Sequence, residues 1–320
     1  MTLTDAIELV MMARTRDELF GGGEPARQYR RLVRLLHPDR VAPADRGAAT
    51  DAFRRLTQLW RGWPEVHLRG YALGAARYRG DLADLYDVGA DRYLKLPRNP
   101  GNNDLMEREA LALRALADGG DPRYLPYVPR LVDSFVHRDA RDGAERRVNV
   151  TAASPGLRSL AEVRRAYPDG VDPRDAAWMW RRLLVALGFA HRAGVVHGAV
   201  LPTHVLVEPV GHGVVLVDWC YSTVDGSDAV PALVPEFADW YPEEVYRRAE
   251  AAAGTDIAMA TRCMTHLMGD RTPVALRRFA TGCTLPALRQ RPDDAWRLLG
   301  ELDEVLETLY GPRKFRPFVL

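Results

Sequence analysis

The residues with the plainest chemical meaning stand at positions 37–39. His37-Pro38-Asp39 closes a segment in which Arg27, Arg30, Arg31 and Arg34 share one helical face. A proline at that place forces a sharp helix exit and leaves an imidazole and a carboxylate exposed beside a cationic surface. Arg40 continues it, and such a surface suits an acidic groove on a partner. A second stretch reads His197-Gly198-Ala199-Val200-Leu201-Pro202-Thr203-His204-Val205-Leu206-Val207, with two imidazoles but no titratable group at Ala199. Cys220, Cys263 and Cys283 lack paired CxxC spacing, which argues against a zinc site of that kind and against a disulfide framework. A reducing cytoplasm is the expected setting.

The elements that must position these residues follow from periodicity. Apolar Ile7, Leu9, Val10, Met11, Leu19 and Phe20 predict a helix over 4–20, broken by Gly21-Gly22-Gly23. Pro25 starts the next helix, with Tyr29, Leu32, Val33, Leu35 and Leu36 facing a core and the arginines on the other side. A further helix is predicted over Ala49 to Trp60, followed by a linker at Gly62-Trp63-Pro64. Beyond residue 70 the texture changes to short strands at 71–73, 82–88 and 93–96, then a helix at 104–116 and strands at 131–136 and 148–152. From Pro155 the chain reads as mostly helical, with β-like interruptions at 205–207 and 214–217.

The chain has 320 residues, of which 47% are hydrophobic, enough for two or three packed domains. With 44 basic and 43 acidic residues the net charge is +1, so no global field drives it onto nucleic acid or a membrane. Met1-Thr2-Leu3-Thr4-Asp5 lacks a basic n-region and no run of about 18 apolar residues occurs, so neither export nor membrane insertion is expected.

The order helix, basic helix, His-Pro-Asp-Arg, loop, helix with Ala52-Phe53-Arg54-Arg55-Leu56 resembles the J-domain of Hsp70 co-chaperones over roughly residues 4–62. The resemblance implies that His37, Pro38, Asp39, Arg27, Arg30, Arg31 and Arg34 bind an Hsp70-type chaperone and stimulate its ATP hydrolysis. The first helix departs from the family in lacking its Tyr-containing start.

Residues 70–320 resemble the protein kinase family, because several landmarks fall in order. Tyr93-Leu94-Lys95-Leu96 resembles the strand whose Lys pairs the ATP phosphates, and Glu109 the helix partner of that Lys. Val195-Val196-His197 resembles the entry to the catalytic loop, and Asp218-Trp219-Cys220 occupies the Asp-Phe-Gly position. Tyr241-Pro242-Glu243 stands at Ala-Pro-Glu, and Gly254-Thr255-Asp256 resembles the start of helix F. The resemblance implies a nucleotide site at Lys95, Glu109 and Asp218, with Asp218 also the metal ligand, and a structural clamp between Glu243 and Arg291.

The departures from that family bear on chemistry. Ala199 replaces the Asp that accepts the substrate proton, and His204 replaces the Asn that holds a metal ion. Gly198 and Leu201 replace two further basic residues of the catalytic loop, and only Gly80 survives of the phosphate-covering glycines, with Asp81 beside it. Trp219-Cys220 should restrict its segment to one conformation. Helix G, which docks substrates in the family, is expected to be shortened or lost.

The expected architecture is α+β: a small all-α J-like domain over 1–64, then a bilobal kinase-like fold with a β-rich N-lobe over 65–153 and a helical C-lobe over 154–320. The expected function is a non-catalytic adaptor or co-chaperone, with no catalytic residues. Its kinase-like part, a pseudokinase, would hold a protein client or partner, or ATP and Mg2+ without turnover. The alternative is an atypical ATP-dependent kinase or nucleotidyl transferase.

Overall fold

The computed structural model describes residues 1–20, 25–60, 66–89, 91–139, 142–154, 156–224 and 228–320. The predicted breaks at Gly21-Gly22-Gly23 and Gly62-Trp63-Pro64, and Pro155, lie outside the described residues. The chain divides into two compact units, one of residues 1–78 and 85–90, the other of residues 79–84 and 91–320.

In the first unit a capping box opens the chain: Thr2 Oγ1 accepts the Asp5 N–H and the Asp5 carboxylate accepts the Thr2 N–H, starting α1 (Leu3–Met12). The helix predicted over 4–20 is in fact two. Thr15 Oγ1 accepts the Glu18 N–H and so restarts the chain as α2 (Arg16–Phe20). Ala6 and Val10 face the core, whereas Leu9 and Met11 are exposed. α3 (Pro25–Leu36) ends at a 3-10 turn, Pro38–Arg40, and α4 (Arg46–Trp60) begins three residues before the expected start. Leu32 and Leu36 of α3 join Leu19, Phe20, Ala52 and Leu56 in one buried cluster. Tyr29 stacks on Trp60 with ring centroids 4.1 Å apart. A hairpin of β1 (Val66–Leu68) and β2 (Tyr71–Leu73) follows, turned by Arg69 and Gly70, both at positive φ as a two-residue primed turn requires.

The five-stranded sheet has the order β3 (Tyr78–Arg79), β4 (Ala83–Asp87), β5 (Arg92–Pro97), β7 (Glu145–Ala152), β6 (Leu131–Arg138). β5 and β7 are antiparallel in a register that sets Lys95 opposite Asn149. α5 (Asn103–Gly119) is pinned to β7 by the Asn103 side chain, which donates to Glu145 C=O and accepts the Arg147 N–H, both at 2.8 Å. Beyond the sheet come β8 (Arg158–Ser159), α6 (Leu160–Ala166), α7 (Pro173–Arg192), β9 (Val195–Val196), β10 (Val205–Glu208), β11 (Gly213–Leu216) and β12 (Thr223–Val224). The chain finishes with α8 (Glu243–Tyr246), α9 (Ala253–Met268), α10 (Val274–Cys283) and α11 (Ala295–Tyr310).

α7 is the hub of the helical part, packed by α9 and α11. A glycine is needed where α7 meets α11, since a Cβ at Gly188 would stand 2.5 Å from Trp296 Nε1. A 3-10 turn at Gly269–Arg271 and the two residues Thr272 and Pro273 separate α9 from α10. No described helix is long and apolar enough to cross a membrane.

Candidate functional site

Three residues from distant parts of the sequence meet at one ammonium. The β5–β7 register aims Lys95 inward, and its Nζ lies 2.9 Å from Glu109 Oε1 on α5 and 2.5 Å from Asp218 Oδ1. The Cys220 Sγ is 3.2 Å away. Burial alone would depress the Lys95 ammonium, but the carboxylates of Asp218 and Glu109 outweigh it and hold its pKa well above the ordinary range. Burial would likewise raise Asp218, and the Lys95 charge reverses this to hold the carboxyl well below its usual value. Burial pushes the Cys220 thiol up, so it is no nucleophile. The other Glu109 oxygen accepts from Asn149 Nδ2 at 2.9 Å, and Ser134 Oγ donates to Asn149 Oδ1 at 2.8 Å. Asn149 and Ser134 escaped the sequence reading; strand register was the only signal that could have found them.

The loop after β9 is held by a network of backbone contacts, and Ala199 within it carries no titratable group. Asp256, fully buried at the start of α9, accepts the backbone N–H groups of His197 and Gly198 at 2.8 Å each, and His191 Nε2 donates to it at 2.9 Å. His197 Nε2–H donates to Val217 C=O at 3.0 Å and its Nδ1 accepts the Ala199 N–H. Burial lowers the imidazole pKa to about 4, against the pull of Asp256. His197 is thus a brace of the loop. Ala199 and Leu201 have 0% exposure, so the position of a proton acceptor is packed into the core. Gly198 adopts φ +74, and a Cβ there would stand 2.5 Å from the Tyr221 carbonyl oxygen; an arginine has no place at this position.

The segment after β11 is equally fixed. Asp218 is left-handed at φ 67, Trp219 and Cys220 are fully buried, and Trp219 Nε1 donates to Leu216 C=O at 2.8 Å. Tyr221 is buried beneath Asp81, to whose carboxylate its hydroxyl donates. The Gly80 N–H bonds Ala83 C=O at 2.9 Å, so the turn between β3 and β4 holds only Asp81 and Leu82 and its glycine amide is already spent. His204 lies 3.6 Å from Asp218 through Nε2, and its Nδ1–H donates to Ala199 C=O at 2.9 Å.

Magnesium with a nucleotide fits this donor set poorly. Lys95 and Asp218 suit the roles, but a phosphate would meet the Asp81 carboxylate where free amides are required, and the hard cation would meet an imidazole nitrogen where it prefers oxygen.

The structural clamp requires a correction. Arg291 pairs not with Glu243 but with Glu244, at 2.6 and 3.1 Å, both side chains being almost wholly buried. Glu243 is exposed and pairs with Arg247 on the surface of α8. Successive helical residues differ by about 100° in direction, so only one of two adjacent glutamates can face Arg291. Leu285 and Pro286 carbonyls take the remaining guanidinium donors, and Thr255 Oγ1 donates to Glu244 at 3.0 Å.

In the first unit, Arg27, Arg30, Arg31 and Arg34 are all exposed along α3, as are Asp39 and Arg40 on the following turn. His37 Nδ1 accepts the Asp39 N–H at 3.3 Å and its ring meets Phe53 edge-on at 5.6 Å, which orients the turn. The Asp39 side chain is 88% exposed.

The fold and this arrangement define a protein kinase-like fold. The structure is similar to solved structures of the PknI kinase domain of Mycobacterium tuberculosis, with TM-score 0.57, 15% identity, and 76% of this chain and 98% of that chain covered. A doubly substituted form of that domain gives TM-score 0.59 with the same identity and coverage. No protein-family model matches the chain, and no curated protein matches it by sequence.

Proposed function

We propose that this chain is a non-catalytic adaptor in which the His37-Pro38-Asp39 surface recruits and stimulates an Hsp70-type chaperone, while the kinase-like part, as a pseudokinase, holds a protein client or partner. The observation that carries the recruitment is the exposed Asp39 at the end of a helix whose Arg27, Arg30, Arg31 and Arg34 all face solvent. The buried Ala199 supports the absence of phosphoryl transfer, since that chemistry needs a group that orients the nucleophile. Asp39→Asn tests the reading. It should abolish stimulation of Hsp70 ATPase with little change in melting temperature, because the side chain is 88% exposed; unchanged stimulation would remove the co-chaperone role.

A second reading, ATP binding with or without transfer, is favoured by the Lys95 bridge between Glu109 and Asp218. Thermal unfolding with and without Mg-ATP tests it. A ligand at 100 times its dissociation constant stabilises by about 2.7 kcal/mol, so a shift lost in Lys95→Ala would support this reading. No shift would leave the nucleotide-free adaptor. Transfer itself would be read with α- and γ-labelled ATP.

A further inference from the structure

We propose that a cavity beside α9, separate from the site of Lys95 and Asp218, binds an acidic peptide segment of a protein partner through Arg262 and Arg277. Its volume is about 520 Å³, within the usual range of ligand sites and larger than a lone inorganic anion needs. Thr265, His266 and Gly269 follow Arg262 by three, four and seven residues, so the four line one face of α9 and its end. The 3-10 turn Pro235–Trp240 adds Asp239 and Trp240 to the lining, and α10 adds Arg277. The Trp240 and His266 rings meet edge-on with centroids 5.1 Å apart.

Both guanidiniums are held by backbone oxygens alone. Arg262 Nη1 donates to the carbonyls of Asp239, Trp240 and Tyr241 at 3.3, 2.6 and 3.2 Å. Arg277 donates through Nε to Thr272 C=O and through Nη2 to Asp270 C=O, both at 2.9 Å. Among the described residues neither arginine pairs with a carboxylate, and each keeps N–H donors for a ligand. Burial lowers the Arg262 pKa and the Arg291 charge adds to this, while Glu244, already paired with Arg291, offsets it only in part. A half-buried cation without a counter-charge is costly, and an entering carboxylate removes that cost by charge-assisted hydrogen bonds. The C-terminal end of α9 supplies only about half a negative charge, less than two guanidiniums require. Asp239, the one acidic side chain of the lining, opposes a doubly charged phosphate more than a singly charged carboxylate. Burial and the Arg164 charge lower the His266 pKa, so at neutral pH the imidazole adds no third positive charge. Two fixed guanidinium forks in a cavity of this size match carboxylates spaced along a peptide, with the Trp240 indole beneath their methylene stems. This deepens the adaptor reading by giving its kinase-like part a surface for a partner, and it rests on that reading only for the partner being a protein. The binding test needs no chaperone, so its failure is distinguishable from failure of the Asp39→Asn test.

The experiment is fluorescence-anisotropy titration of a labelled, end-blocked oligoglutamate peptide with the full chain at low salt. The wild type should bind it and should not bind an oligoglutamine peptide, and Arg277→Glu should weaken binding at least about tenfold. Asp239→Asn should tighten it by about threefold, a gain that no loss of folding can produce, since Asp239 is exposed. Binding should persist in the chain carrying Arg30→Glu and Arg31→Glu, which removes the basic face of α3 as a competing site. If Arg277→Glu fails to fold, the gain in Asp239→Asn decides. Absence of binding by the folded wild type, undiminished affinity in folded Arg277→Glu, or no gain in Asp239→Asn overturns the proposal. So does binding abolished by Arg30→Glu with Arg31→Glu, or displacement of the peptide by inorganic phosphate at equal concentration.

Discussion

Burial holds the His197 imidazole at about 4, while in an unfolded chain it would titrate near its ordinary value of about 6.5. Between those values the unfolded state binds the extra proton, so stability rises with pH through that window. The contribution is complete above about pH 6.5 and is lost as pH falls toward 4, amounting at most to about 3 kcal/mol. Urea unfolding at pH 7 and pH 5 should therefore show a steep loss in the wild type and a shallower one in His197→Gln; equal slopes would mean that the imidazole is not the titrating group. At this scale the sequence named Lys95, Glu109, Asp218 and His197, because each falls at a fixed spacing within an ordered set of landmarks. It did not name Asn149 or Tyr221 as partners, since their contacts depend on strand register and on a turn with Asp81 at its tip.

The short helix α8 shows what one residue of register is worth. Glu244 and Arg291 form a buried ion pair whose remaining donors and acceptors are satisfied, and removing one partner leaves a charge without compensation. Glu244→Ala should destabilise by about 3–5 kcal/mol, while Glu243→Ala on the solvent side of the same turn should stay within about 0.5 kcal/mol. Chemical denaturation of the two variants checks the assignment, and a larger loss from Glu243 would restore the expected clamp. The motif Tyr241-Pro242-Glu243-Glu244 offers two glutamates, and sequence pattern favoured the one next to proline. Which of them points inward is set by the angle at which α8 leaves Pro242. The same applies to α1 and α2, where a continuous apolar pattern concealed a break that the Thr15 cap creates.

Across the whole molecule the charge is nearly balanced, so the proposed attraction to an acidic partner would have to be local. Reversing Arg30 and Arg31 to Glu should weaken Hsp70 association most at low salt, because at about 0.1 M ionic strength screening already acts over roughly 10 Å. Affinity measured across a salt series checks this, and salt-independent binding would place the contact elsewhere. The sequence by itself determined the succession of elements, the absence of a titratable group at position 199 and the run of arginines along one helix, because periodicity and residue chemistry are local properties. Only the tertiary structure decided that Ala199 is sealed in the core, that Asp81 closes over Tyr221, and that Glu244 rather than Glu243 meets Arg291. Those outcomes depend on which groups from distant segments compete for one buried volume, and that competition is settled by packing and by the cost of leaving a charge unpaired.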